Sequence, residues 1–266
     1  MKSVILAAGE GTRLEPLTNS RPKPMLPVAN RPLLEHVVEA VRDAGIDEIV
    51  LVVGYRRERI QSHFGDGDDW GLDIDYAVQE KQLGTGHAVL QAESHVEGPF
   101  VALNGDRLID ADAVERVVER RERIGRATVA VTHAERPSDY GVVTLDGGNV
   151  ADIVEKPPAH ATPSDVVNAG IYGFDPSIFD AIRRAETDGE LDVTDTLRDL
   201  IDREGVAAAT VQGRWLDVSN LWDLLRVNGH GVGASTAESA RVADDATLVG
   251  DVARDVVEVG EEAQVA

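Results

Sequence analysis

The chain has 266 residues, 42% of them hydrophobic, and a formal charge of -22 from 48 Asp plus Glu against 26 Lys plus Arg. That length and apolar content support a full globular core, as one large α/β domain or one domain with an appendage, and exclude a disordered chain. So acidic a surface argues against general nucleic-acid or anionic-membrane binding, and with lysine scarce it suggests a protein kept soluble in concentrated salt.

Residues 3–8 read as a first buried strand, an apolar run through Val4, Ile5, Leu6, Ala7 and Ala8. The run breaks into Gly9-Glu10-Gly11, a turn whose backbone N–H groups an anion can approach without side-chain obstruction. Arg13 follows, and then Lys23 between Pro22 and Pro24. Leu33, Leu34, Val37, Val38 and Val41 stand at helical spacing and predict a helix over 31–44, ended near Gly45. Strand 48–53, helix 56–63 and strand 73–78 come next. A glycine-containing loop then leads to a helix near 87–93, strand 100–103, helix 111–124 and strand 127–132. Asp146-Gly147-Gly148 predicts a hairpin joining 141–145 to 149–154. Strand 167–173, helices 176–184 and 193–203, strand 206–211 and helix 219–228 complete the alternation. This order predicts a doubly wound, Rossmann-like, mostly parallel (mixed) α/β sheet, with ligands at the carboxyl ends of its strands.

The pattern changes after about residue 232. A Gly- and Ser-containing linker precedes aliphatic residues six apart, Val242 to Leu248 and Val259 to Val265, with small residues between. That spacing reads as the start of a hexapeptide-repeat left-handed β-helix with too few coils to bury its own face. The expected division is therefore 1–231 for the main domain and 232–266 for linker and β-helix start.

Cysteine is absent, which removes disulfides, a thiolate nucleophile and Cys-ligated zinc. No long apolar stretch of membrane-spanning length exists, and the first strand begins almost at Met1, so a cytoplasmic location is the expectation.

Several polar groups fall at predicted strand ends. The chain has only four lysines, Lys2, Lys23, Lys81 and Lys156, so one fixed between prolines beside a glycine turn is a candidate phosphate ligand. Neither a dinucleotide fingerprint nor a Walker A loop is present: position 14 is Leu and no Gly-Lys-Ser/Thr follows. Gln79 precedes a loop with Gly84, Thr85 and Gly86; an amide plus backbone can match the edge of uracil or thymine. Asn104-Gly105-Asp106 ends a strand in a carboxylate that can face a phosphate through Mg²⁺, an ion that commonly takes one or two carboxylates plus substrate oxygens. Asp66-Gly-Asp68, Asp73-Ile-Asp75 and Asp110-Ala-Asp112 match the Asp-x-Asp pattern of glycosyltransferases, a common occurrence in so acidic a chain. Gly141, Glu155, Lys156 and Asn168 offer a polar pocket wall, and Asp217 a second strand-end carboxylate that also fits a helix cap.

In order, Leu-Ala-Ala-Gly-x-Gly-Thr-Arg-Leu with Pro-Lys-Pro, Gln-x₄-Gly-Thr-Gly-His-Ala, Gly-Asp, Glu-Lys-Pro, Asn-Ala-Gly and Trp-x-Asp-Val resemble the sugar-1-phosphate nucleotidylyltransferase family over about residues 3–230. Gln82 to Ala88 looks like N-acetylglucosamine-1-phosphate uridylyltransferases; Arg13-Leu14 and Trp215-x-Asp217 look like glucose-1-phosphate thymidylyl- and uridylyltransferases. The resemblance implies a nucleotidyltransferase domain that makes a UDP- or dTDP-sugar and pyrophosphate from a nucleoside triphosphate and a sugar 1-phosphate. It implies that Ala8, Gly9, Gln79, Gly84 and Thr85 hold the nucleoside, and that Gly11, Thr12, Arg13 and Lys23 hold the triphosphate. It further implies Mg²⁺ on Asp106 and Asp217, and the sugar phosphate on Gly141, Glu155, Lys156 and Asn168. Two residues depart from the pattern: Glu10 puts negative charge beside the phosphate turn, and Arg107 follows the metal aspartate. Two other readings compete, a non-catalytic regulatory homologue of the same fold and a nucleotide-sugar-dependent glycosyltransferase. Pyrophosphate release separates them.

Overall fold

The computed structural model describes residues 1–185 and 189–229. The linker and β-helix start expected over 232–266 lie outside the described residues. The elements are β1 (Lys2–Ala7), β2 (Pro27–Val28), β3 (Arg31–Pro32), α1 (Leu33–Asp43), β4 (Glu48–Val53), α2 (Arg57–Phe64), β5 (Asp73–Val78), α3 (Thr85–Gln91), β6 (Phe100–Asn104), β7 (Arg107–Ile109), α4 (Ala111–Ile124), β8 (Thr128–His133), β9 (Gly141–Asp146), β10 (Asn149–Glu155), β11 (Val166–Phe174), α5 (Ser177–Arg184), α6 (Val193–Arg203), β12 (Val206–Thr210), β13 (Trp215–Asp217) and α7 (Leu221–Gly229).

Nine strands form one sheet in the order β5-β4-β1-β6-β11-β8-β12-β10-β9. The sheet is mixed: β1, β4, β5 and β6 are mutually parallel, β12 is parallel to β8, and β11 lies antiparallel between β6 and β8. Only β10 and β11 therefore run against the rest. The β9–β10 hairpin pairs with β12 through Asn149 and Val150, and its other end returns to β11 through the pair Val167–Val142. That return carries Gly141 and Glu155 to the start of β11, where Asn168 stands.

Alternating side chains along the strands feed two apolar layers, as a sheet covered on both faces requires. Val4 and Phe100 point to the layer covered by α3, α5 and α6. Ile5 and Leu103 point to the layer covered by α1, α2 and α4. Among the described residues no helix is long and apolar enough to cross a membrane.

The sequence does not announce β2, β3, β7 or β13, which are two or three residues long and lack a readable period. β13 pairs antiparallel with β7 in a separate two-stranded sheet, with Asp217 opposite Arg107. A third apolar cluster sits beneath this ribbon: Leu14, Leu26, Val28, Leu33, Leu108, Val218 and Val227. Each of four members adjoins or nearly adjoins a charged rim residue in sequence: Leu14 to Arg13, Leu26 to Lys23, Leu108 to Arg107, Val218 to Asp217. Burial of the apolar neighbour thus anchors the charged one beside this cluster.

Leu108 is fully buried in this cluster. Leu108→Ala should cost about 2–5 kcal/mol, read by urea unfolding, while the two main layers stay packed.

Candidate functional site

The carboxyl ends of β1, β5 and β6 open on a cleft of two joined chambers. The larger, about 340 Å³, is lined by Ala8, Gly9, Gly11, Arg13, Lys23, Gln79, Gln82, Gly84, Thr85 and Asp106, together with Asn104, Glu190 and Asp192. The smaller, about 150 Å³, is lined by Arg107, Asp139, Tyr140, Gly141, Glu155, Lys156, Asn168, Asp217 and Ser219. Arg13, Thr85, Asn104, Asp106 and Asp192 line both chambers, so the two are continuous. Every residue singled out from the sequence as a site residue lies on this cleft except Thr12. Thr12 is exposed, opens the single 3₁₀ turn Thr12–Leu14 and lines neither chamber. Glu10 is exposed and lines neither chamber.

The glycine turn is built for close approach. Gly11 has φ +73°, and a Cβ there would stand 2.6 Å from Lys23 Cβ. Thr18 Oγ1 donates to the Gly11 carbonyl at 3.1 Å, closing the loop onto the segment that leads to Lys23. Lys23 is largely buried, and its Nζ donates to Asp106 Oδ2 at 2.6 Å. Burial alone would raise the Asp106 carboxyl, but the Lys23 ammonium and the Arg107 guanidinium hold it below the usual carboxylate range. Arg13 makes no ion pair among the described residues and stands at the junction of the chambers.

Arg107, an anomaly in the sequence, is structurally engaged. Its guanidinium carbon lies 5.2 Å from the Trp215 ring centroid and 5.5 Å from that of Tyr140, within cation–π range. Nη1 donates to the Asn168 carbonyl at 3.2 Å, and Nε is 3.9 Å from Asp217 Oδ1. Burial pushes the Tyr140 phenol up to about 12, helped by the Asp217 charge, so Tyr140 stays neutral. Asp217 accepts a hydrogen bond from Ser219 Oγ at 2.5 Å and is itself 7% exposed. In the smaller chamber Lys156 Nζ is 3.2 Å from Glu155 Oε1, and a Cβ at Gly141 would come within 3.0 Å of Glu155 Oε2. Glycine at 141 therefore gives Glu155 its room. Asn168 is held by its own surroundings: Nδ2 donates to Tyr172 Oη at 2.9 Å and Oδ1 accepts from the Gly170 N–H at 2.9 Å.

Some of the lining was not visible in the sequence. Asp192 caps α6 and also accepts from the Thr85 N–H (3.0 Å) and Thr85 Oγ1 (2.9 Å). The Thr85 hydroxyl is thus a strut between α3 and α6. Its only sequence signal is the Asp192-x-x-Asp195 capping box, which announces a helix start and not a cleft wall. Gln82 Nε2 donates to the Ala8 carbonyl at 3.1 Å and fastens the base of the larger chamber. The Asp-x-Asp matches lead nowhere: Asp66, Asp68, Asp73, Asp75, Asp110 and Asp112 line neither chamber, and Asp110 instead accepts from the Arg214 N–H.

Charge on the cleft is unbalanced. Six carboxylates (Asp106, Asp139, Glu155, Glu190, Asp192, Asp217) stand against four cations (Arg13, Lys23, Arg107, Lys156). Among the described residues no three His, Asp or Glu side chains converge on one point. Such a donor set does not build an all-protein metal cage. It fits a hard divalent ion held by one or two carboxylates and completed by ligand oxygens, which would also cancel a formal excess of two negative charges.

A family model described as "Nucleotidyl transferase" matches residues 2–231. The bifunctional protein GlmU of Methanococcus maripaludis is 35% identical over 256 residues, covering 95% of this chain and 60% of that protein. The chain thus spans about 60% of the length of the GlmU relatives it matches. The low-salt glycan biosynthesis nucleotidyltransferase Agl11 of Haloferax volcanii is 37% identical over 259 residues, covering 95% of this chain and 72% of that one. A crystal structure of a UDP-glucose pyrophosphorylase with UDP-glucose superposes with a TM-score of 0.77 at 26% identity, covering 85% of this chain and 96% of that one.

Gly11→Ala tests the turn. Positive φ and the overlap with Lys23 Cβ should together lower stability by about 1–3 kcal/mol and move Lys23 Nζ off Asp106, seen respectively by thermal unfolding and in a crystal structure of the variant.

Proposed function

Because the chain belongs to the nucleotidyl transferase family, as a sugar-1-phosphate nucleotidylyltransferase, we propose that its two-chambered cleft joins a pyrimidine nucleoside triphosphate to a sugar 1-phosphate. The products are an NDP-sugar (UDP- or dTDP-glucose, or UDP-N-acetylglucosamine) and pyrophosphate. The observation that carries the reading is Arg13: it has no ion-pair partner among the described residues and, like Asp106, lines both chambers at their junction. One chamber takes the triphosphate, the other the sugar phosphate, and the reacting phosphates meet between them.

The larger chamber suits the nucleotide. Gln79 and the Gly84 loop face the base, and Gly9 and Gly11 let backbone N–H groups approach the phosphates. Lys23 has three donors and can keep Asp106 while offering another N–H to a phosphate oxygen. In the smaller chamber Lys156 takes the sugar phosphate, and Glu155 and Asn168 accept from and donate to sugar hydroxyls.

An oxygen of the sugar phosphate attacks the α-phosphorus in line, a P–O bond forms, and the bond to the β-phosphate oxygen breaks with its electron pair leaving on pyrophosphate. No general base is required, since a phosphate monoester loses its second proton near pH 6. The protein's work is alignment and charge compensation. Arg13 neutralises charge on the departing pyrophosphate, and Lys23 and Lys156 hold the two anions at attack distance. Asp106 and Asp217 would hold Mg²⁺, which when bound supplies the positive charge that lets the two anions approach. Arg107, fixed by two rings and the Asn168 carbonyl, sets a positive charge 3.9 Å from Asp217 Oδ1 in the smaller chamber.

Mixing UTP or dTTP, glucose 1-phosphate or N-acetylglucosamine 1-phosphate, and Mg²⁺ with the protein should release pyrophosphate. Asp217→Asn should lower kcat by about 10²-fold or more with the fold intact by circular dichroism. Lys156→Ala should raise KM for the sugar phosphate about tenfold or more and leave KM for the triphosphate unchanged. No pyrophosphate with any of these pairs overturns the reading.

A further inference from the structure

We infer that His87 is a positioning residue for base selection: its Nδ1 takes one N–H of the Gln79 amide and leaves Gln79 only a carbonyl oxygen to offer a nucleobase. The inference rests on the nucleotidyl-transfer reading and deepens it, by assigning a residue outside the chamber that enforces uracil or thymine against cytosine.

Hydrogen-bond accounting carries it. Gln79 is 3% exposed and lines the larger chamber just past the end of β5. Its Nε2 lies 3.1 Å from the Gly84 carbonyl oxygen. A backbone carbonyl can only accept, so the nitrogen end of the amide is settled by chemistry. The same nitrogen lies 2.9 Å from His87 Nδ1, on the first turn of α3. Nδ1 must therefore hold a lone pair, and the ring proton sits on Nε2. Both amide hydrogens of Gln79 are then committed, and Oε1 makes no hydrogen bond among the described residues. One neighbour bears on the tautomer. Gln91 Nε2 donates to the His87 carbonyl at 2.9 Å and passes 3.3 Å from His87 Nε2. A neutral ring has one proton, so one of its two nitrogen contacts is not a hydrogen bond; the shorter one, to Gln79, is kept.

The consequence is specificity. Uracil and thymine present N3–H to an acceptor, whereas cytosine presents a lone pair at N3. Facing Oε1, cytosine leaves two acceptors opposed in a buried site, the arrangement that polar pockets use to reject near-isosteres. Removing the His87 acceptor releases one Gln79 N–H, which can then reach the cytosine lone pair. His87 does not line the chamber itself; it acts through Gln79.

The test uses the full chain with Mg²⁺ and measures UTP and CTP binding by calorimetry, without sugar phosphate. The wild-type protein should prefer UTP, and His87→Ala should reduce the UTP:CTP preference about tenfold or more. His87→Asn places a carbonyl oxygen where Nδ1 stands and should restore most of the preference, a rescue that a purely structural role would not produce. Long-range ¹H–¹⁵N NMR of the wild-type protein should show His87 protonated at Nε2 only. Equal binding of UTP and CTP by the wild-type protein, an unchanged preference in His87→Ala, no rescue by His87→Asn, or a proton on Nδ1 each overturns the inference. A retained UTP preference in a protein that releases no pyrophosphate would instead overturn the reaction proposed above and leave base selection standing.

Discussion

Four charged segments from distant parts of the chain meet because their apolar neighbours share one small cluster. Leu14, Leu26, Leu108 and Val218 are each 2% exposed or less, and burying each is worth about 1.5–3 kcal/mol. Lys23, Arg107 and Asp217, by contrast, must give up water to approach one another. The hydrophobic contacts therefore supply the free energy that holds the polar groups in place. The β7–β13 ribbon converts that packing into register: Asp217 pairs with Arg107, the residue next to Asp106. One cross-strand pair thus brings two carboxylates more than a hundred residues apart to the same rim.

Charge economy shapes the rest. A protein of formal charge -22 whose proposed substrates are two polyanions cannot rely on its general field, which repels them. It must localise its cations, and it does so on short, stiff segments. Lys23 is bounded by prolines, Lys156 sits on a left-handed backbone at φ +42°, and Arg107 is clasped by two rings. The Lys23–Asp106 pair keeps both charges ready without either being lost to a distant partner. Arg13 remains the uncommitted one among these cations.

Much of the fold was legible because periodicity reports burial directly. The helices over 111–124 and 193–203 and the strand over 73–78 match the structure residue for residue, since each shows a clear period bounded by a cap or a turn residue. α3 was expected near 87–93 and instead begins at Thr85. Asp192, far along the chain, binds the Thr85 N–H and hydroxyl, and no local signal announces such a tertiary cap. Ribbon strands β7 and β13 are too short to show a period and exist only through their pairing. Of the candidate site, the glycine turn, the proline-bounded lysine and the strand-end aspartates stood out by residue type. Thr12 came in with its motif and lines neither chamber.

The sequence by itself determined the doubly wound alternation and the scarcity and placement of lysine, and it marked the glycine turn, Lys23 and the strand-end aspartates Asp106 and Asp217. These are local properties: period, turn chemistry and residue type are written within a few positions of one another. Only the tertiary structure decided that Arg13 belongs to two chambers at once, that Arg107 is held between Tyr140 and Trp215, and that Asp192 braces Thr85. Those facts depend on which strands become neighbours and on where loops of unlike sequence pack together, and distance in space is not encoded in any short stretch of chain.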